Sequence, residues 1–103
     1  MAEWSERHPL TKRDVEMYVP YSAGVYRLTN KVGEKQVVFY VGQGERLGED
    51  IMNHVSHKES KECIKEHVGT FDCFFRFAES DSAEEREQML KAQLEQYHPC
   101  CNA

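Results

Sequence analysis

A chain of 103 residues, 40% hydrophobic and 30% charged, has the length and composition of one soluble globular domain that can bury a core without a metal or a disulfide. Its formal net charge of −5 argues against a protein that holds nucleic acid through its overall field, since neutralising phosphates takes a basic surface. Any such contact must come from a local patch. The opening Met1-Ala2-Glu3-Trp4-Ser5-Glu6-Arg7 lacks the basic-then-apolar order of a signal peptide, and no apolar run approaches the roughly 20 residues that span a bilayer. The expectation is a cytoplasmic protein with no membrane partner. Cys63, Cys73, Cys100 and Cys101 all lie in the second half of the chain. Adjacent Cys100 and Cys101 are poorly placed to pair with each other, so reduced thiols are expected.

In chain order, Thr11 is placed to N-cap a short helix through Met17 that stops before Pro20. Residues 23–30 alternate as a strand, with Gly24, Tyr26 and Leu28 on one face and Val25, Arg27 and Thr29 on the other. Asn30-Lys31-Val32-Gly33-Glu34 reads as a turn. Val37 to Gly42, β-branched and aromatic, reads as an antiparallel partner strand. A helix is expected from Leu47 to His57, and a second one from Ser60 as its cap to about His67, ended by Gly69. The run from Thr70 to Ala78 puts Phe71, Cys73, Phe75 and Phe77 on one face of a third strand. Ser80-Asp81-Ser82 caps a long helix from Ala83 to Tyr97, closed by Pro99. The expected fold is α+β, a three-stranded antiparallel sheet flanked by helices, as one domain over residues 1–103.

Two tripeptides stand out, Gly24-Val25-Tyr26 and Tyr40-Val41-Gly42. His54 follows fourteen residues after Tyr40, on the helix after the second tripeptide, and Pro99-Cys100-Cys101-Asn102 closes the chain. This ordered set resembles the GIY-YIG nuclease family over roughly residues 20–102. The resemblance implies a GIY-YIG endonuclease-like fold and metal-dependent cleavage of phosphodiesters in DNA. It implies Tyr26 as general base, or as the group that orients the water, with Tyr40 and His54 assisting proton transfer. It further implies a glutamate of the last helix holding Mg2+ or Mn2+, and Asn102 closing the site. Glu87 is the preferred metal ligand, expected on the core-facing stripe with Leu90 and Leu94, with Glu84 one turn earlier as second choice. Hydrolysis of a phosphodiester needs an activated water, a cation to absorb oxyanion charge and groups that hold the phosphate in line. A phenol with an ordinary pKa near ~10 needs a nearby cation before it can act as a base at neutral pH.

One position departs from the family. Ten residues after Tyr40 stands Asp50, where the family has a phosphate-contacting arginine. An anion there reverses the electrostatics. Arg46, one turn away, is a partial substitute, and Asp50 itself is an additional metal ligand in a second reading. The runner-up function is a non-catalytic module that kept the fold and binds nucleic acid or a protein. For an enzyme, structured or damaged DNA or a protein partner is expected. Gly42-Gln43-Gly44 is not a dinucleotide loop, because Gly48 is misplaced and no βαβ unit follows; no dinucleotide cofactor is expected. Cys63, His67, Cys73, His98, Cys100 and Cys101 are zinc-ligand types, but without a Cys-x-x-Cys pair a zinc site is not expected. Cys73, alternating with phenylalanines, reads as a small core residue.

Overall fold

The β-branched and aromatic runs on either side of Gly33 pair as expected. In the computed structural model, which describes residues 3–56 and 58–103, they form the antiparallel hairpin β2 (Gly24–Val32) and β3 (Lys35–Gly44). Val32 pairs with Lys35 across a two-residue loop in which Gly33 takes φ +63°, the left-handed angle that a type II′ hairpin turn requires at its first central position. That tight turn lets the ladder run past the expected strand ends.

β4 (Cys73–Glu79) pairs antiparallel with β2, setting Phe77 beside Tyr26 and Phe75 beside Leu28. A two-residue strand, β1 (His8–Pro9), joins the far side of β4, giving the order β1-β4-β2-β3. The sheet therefore has four strands rather than the expected three. A two-residue strand containing proline has no alternation to read and can lie only at an edge. Its His8 ring is stacked on Tyr18 at 4.4 Å and tilted against Phe75 at 5.4 Å.

Side-chain caps set the starts of two helices. Thr11 accepts from the Asp14 amide at the start of α1 (Lys12–Tyr18), and Ser82 accepts from the Glu85 amide at the start of α4 (Ala83–Tyr97). α2 (Leu47–His54) ends three residues before the expected limit, His57, which lies outside the described residues. α3 (Glu62–Thr70) begins after Lys61 rather than Ser60 and includes Gly69. Its start carries no side-chain cap; just before it, Glu59 Oε1 accepts from the Lys61 amide at 2.8 Å.

The two sheet faces are buried by different helices. Tyr26, Leu28, Phe39 and Phe75 form one core with Val15 of α1, Leu47 and Ile51 of α2 and Ile64 of α3. Leu28, Phe39, Leu47, Ile51, Ile64 and Phe75 are fully buried, each contributing about 1.5–3 kcal/mol relative to exposure. α4 covers the opposite face, where Val25, Val41 and Ala78 are buried and Arg27 donates to Gln93 Oε1 at 2.9 Å. The residues α4 buries are Arg86 and Gln93, so its core stripe is rotated from the expected Glu87-Leu90-Leu94 line and leaves Glu87 exposed. Hydrophobic spacing misplaced this stripe because α4 buries polar side chains that have partners. Among the described residues, no helix is long and apolar enough to cross a membrane.

Candidate active site

Tyr26, buried on β2, is the centre of the site. Its hydroxyl lies 2.6 Å from His54 Nε2, on the last turn of α2. His54 Nδ1 in turn bonds the Glu59 carboxylate. A carboxylate only accepts, so Nδ1 carries the proton and Nε2 offers its lone pair to the tyrosine hydroxyl. The result is a phenol–imidazole–carboxylate chain with the logic of a nucleophile–base–orienter triad. The Tyr40 ring closes the group, its centroid 6.2 Å from that of Tyr26 and 5.3 Å from that of His54.

The paired tripeptides now have a physical explanation. Tyr26 faces Gly42 across the hairpin, and a Cβ on Gly42 would fall 2.5 Å from the Tyr26 hydroxyl oxygen. The glycine of the second tripeptide thus makes room for the tyrosine of the first. Gly24 does a different job, since a Cβ there would meet the Ala78 carbonyl oxygen at 2.3 Å. It permits close packing of β2 on β4.

Burial dominates the electrostatics. It pushes the Tyr26 hydroxyl far above the usual phenol range, helped by Tyr40, Asp50 and Glu59. Burial also raises Tyr40, with Glu59 adding to it. Burial lowers His54 below the ordinary histidine value, against the opposing hydrogen bond that its Nδ1 donates to Glu59, and so favours the neutral imidazole that Nε2 acceptance requires. Asp50 is raised, again chiefly by burial, with His54 opposing. Its carboxylate rests on the backbone of β3, where a Cβ on Gly44 would lie 1.5 Å from Oδ2.

Tyr26, Tyr40 and His54 converge with Asp50 beside them; the other expected residues stand elsewhere. Arg46 points to solvent, 3.5 Å from Glu49 with both side chains more than half exposed, and lies over the Tyr21 ring. Glu87 is exposed on α4, the helix that covers the opposite sheet face. Asn102 sits at the free edge of β3, where its Oδ1 accepts from the Val41 amide and its Nδ2 donates to the Val41 carbonyl, both at 2.8 Å. Its side-chain amide thereby satisfies the edge as one residue of a further strand would.

Two residues of the site escaped the sequence reading. Glu59 is buried with one oxygen on His54 and the other on the Lys61 amide. The Lys61 ammonium lies 5.1 Å from the Tyr40 ring centroid and donates to the Cys101 carbonyl at 3.0 Å. A carboxylate five residues after His54, beyond the helix end, was the available signal for Glu59. For Lys61 there was none. As to a cation, both Glu59 oxygens already accept a hydrogen bond, whereas the Asp50 carboxylate has no hydrogen-bond partner among the described residues. A partly desolvated carboxylate beside two phenols suits a hard divalent ion that keeps much of its water.

The thiols need a correction. Cys63 and Cys101 form a disulfide, where four reduced thiols were expected. The closing 3-10 turn, Cys100–Asn102, folds back on α3, a proximity that sequence separation conceals. Cys73 is a free thiol packed against the core, and burial pushes it up to about 11.

No protein-family model matches the chain, and no curated protein sequence matches it. Among solved structures, it is similar to the GIY-YIG N-terminal endonuclease domain of UvrC from Thermotoga maritima bound to magnesium, its catalytic divalent cation, with a TM-score of 0.69, 21% identity and coverage of 89% of this chain and 96% of that one. A tyrosine-to-phenylalanine point mutant of the same domain, bound to its catalytic divalent cation, gives a TM-score of 0.67 at 17% identity, covering 89% and 96%. The chain therefore has a GIY-YIG endonuclease-like fold, and at these identities the likeness is one of fold.

Proposed function

We propose that this chain is a metal-dependent endonuclease that hydrolyses phosphodiesters in DNA, with Tyr26, His54 and Glu59 as a proton relay and Asp50 as the carboxylate nearest the metal. The Tyr26–His54–Glu59 chain carries this reading, because a merely structural tyrosine has no need of a neutral imidazole oriented by a buried carboxylate. Free tyrosinate is costly here, since burial and three neighbouring acidic groups oppose it. A relay avoids it. The Tyr26 oxygen accepts a proton from the attacking water as its own proton passes to His54 Nε2, and Glu59 steadies the imidazolium. The water oxygen bonds phosphorus, the bond to the leaving oxygen breaks, and that oxygen takes a proton from solvent. Bound Mg2+ or Mn2+ would supply Lewis-acid stabilisation of the phosphoryl oxygens. A carboxylate where the family carries an arginine would then offer an oxygen donor to such an ion, in place of a direct phosphate contact.

The test is Mg2+- or Mn2+-dependent nicking of branched DNA. Tyr26→Phe and Asp50→Asn should each abolish most of it, Asp50→Asn more severely at low metal concentration. Unchanged nicking in Tyr26→Phe points to a contaminant. If Glu87→Ala loses activity while Asp50→Asn keeps it, the metal belongs to α4 and the Asp50 assignment fails.

A second reading has one observation behind it. Arg7, Arg27 and Arg76 line a cavity of about 200 Å³ with Tyr97, on the face that carries α4. In a chain of net charge −5 this is a local basic patch suited to phosphate, and it supports a non-catalytic nucleic-acid-binding module. DNA binding at low salt that is lost in Arg76→Ala, without nicking under any metal, would favour it.

A further inference from the structure

Cys63 and His67 on α3 and Cys100 and Cys101 on the closing turn bring their ligand atoms within 4.8 Å of one another. The Cys100 sulfur is 3.6 Å from His67 Nε2 and 4.0 Å from the Cys101 sulfur. With Zn–S of about 2.3 Å and Zn–N of about 2.0–2.1 Å, tetrahedral ligands stand roughly 3.5–3.8 Å apart, so this cluster is close to the size of a Cys3His shell. The histidine is already oriented. Its Nδ1 donates to the Cys63 carbonyl at 2.7 Å, which leaves the Nε2 lone pair for a metal, the outer-shell arrangement typical of ligating histidines. Its ring is stacked on buried Phe39, 4.6 Å between centroids and 10° between planes. Cys73, whose sulfur donates to the His67 carbonyl at 3.3 Å, is outside the cluster.

We propose that Cys63, His67, Cys100 and Cys101 bind one structural Zn2+ in the reduced protein, and that the Cys63–Cys101 disulfide is the oxidised alternative of the same site. The interconversion balances. A dithiol reductant passes two electrons and two protons to the disulfide, giving two thiols, and leaves as its own cyclic disulfide. Zn2+ then displaces one proton from each of Cys63, Cys100 and Cys101 to solvent and takes the His67 lone pair. Three thiolates around a divalent, redox-inert ion with one imidazole is a closed shell, as in structural zinc sites. In either state the link pins the closing turn to α3. That turn carries Asn102, which holds the Val41 backbone, and the Cys101 carbonyl that receives Lys61 beside Tyr40. The site therefore staples the C-terminus to the strand of the second tripeptide, whether or not the chain cleaves DNA.

The experiment is a Co2+ titration of the full chain, reduced with a phosphine and shown to have four free thiols. One Co2+ per chain is expected, with thiolate-to-cobalt charge-transfer bands and tetrahedral d–d bands, displaced by one Zn2+. Cys100 is exposed and outside the disulfide, so Cys100→Ser should fold normally by circular dichroism. It should nevertheless weaken metal binding by more than about 100-fold, beyond the 10- to 100-fold typical of losing an outer-shell partner. Cys73→Ser should bind as the wild type does. A reduced, folded chain that takes up no Co2+ overturns the proposal, as does a folded Cys100→Ser that binds Co2+ as tightly as the wild type.

Discussion

The two faces of the hairpin bury ionisable groups in opposite ways. On the α4 face two of the cations are engaged by structure: Arg86 donates to the Ser80 carbonyl at 2.9 Å. Arg27 bonds Gln93 and lies over the Trp4 ring at 4.6 Å and the Tyr97 ring at 5.4 Å. On the other face Tyr26, Tyr40, His54 and Asp50 are all moved from their ordinary pKa values by burial, and the Asp50 carboxylate has no hydrogen-bond partner among the described residues. Arg86 and Arg27 end in bonds to the fold itself, whereas the ionisable groups of the other face bond chiefly to one another, Tyr26 to His54 and His54 to Glu59. Gathered perturbed groups are a feature that functional sites share with structural networks, and burial lowers Arg27 on the α4 face as well.

The contrast can be broken most severely at His54. His54→Ala should lower cleavage by about 10²–10⁴-fold, the usual range for a positioned acid–base group, while Arg86→Ala on the other face should leave the cleavage rate of the folded protein unchanged. The reverse pattern in nicking assays would mean that the faces have been assigned wrongly. Arg86→Ala should instead cost about 1.5–3 kcal/mol in urea unfolding, as a hydrogen bond to a charged group is lost. Asn102→Ala removes two bonds to Val41 and should cost about 1–3 kcal/mol; no change there would show that the β3 edge needs no cover.

The pH dependence of stability sharpens the comparison further. The folded-state pKa of His54 is lowered, so below the unfolded value of about 6.5 the unfolded chain takes up a proton that the folded chain resists. Stability falls as pH drops from that value through the folded pKa, and is recovered as pH rises. The difference in melting temperature between wild type and His54→Gln should therefore shrink or reverse on acidification. A pH-independent difference would contradict a buried neutral imidazole. The smallest effect is expected at Ser82→Ala, about 1 kcal/mol through loss of the α4 cap, with cleavage unchanged.

Much of this was legible in the sequence for identifiable reasons. Alternation located β2 and β4, and β-branched and aromatic composition located β3; Thr11 and Ser82 announced their helices by cap chemistry; the two tripeptides marked the family likeness, while the Tyr26–Gly42 contact appeared only in the structure. What failed depended on contacts between distant residues. The His8–Pro9 strand exists because Phe74 and Phe75 offer an edge. The α4 stripe turned because Arg86 and Gln93 found partners that hydrophobicity does not count. The Cys63–Cys101 bond needed the closing turn to return to α3. Glu59 was overlooked because a single carboxylate after a helix carries no periodic signal, although it governs the tautomer of His54.

The most direct test of the relay is a double-mutant cycle on metal-dependent nicking with Tyr26→Phe, Glu59→Gln and the two combined. Residues acting as one unit give strongly non-additive losses. The relay predicts a double variant little worse than Tyr26→Phe alone; losses that multiply would contradict it, because Glu59 would then act independently of Tyr26.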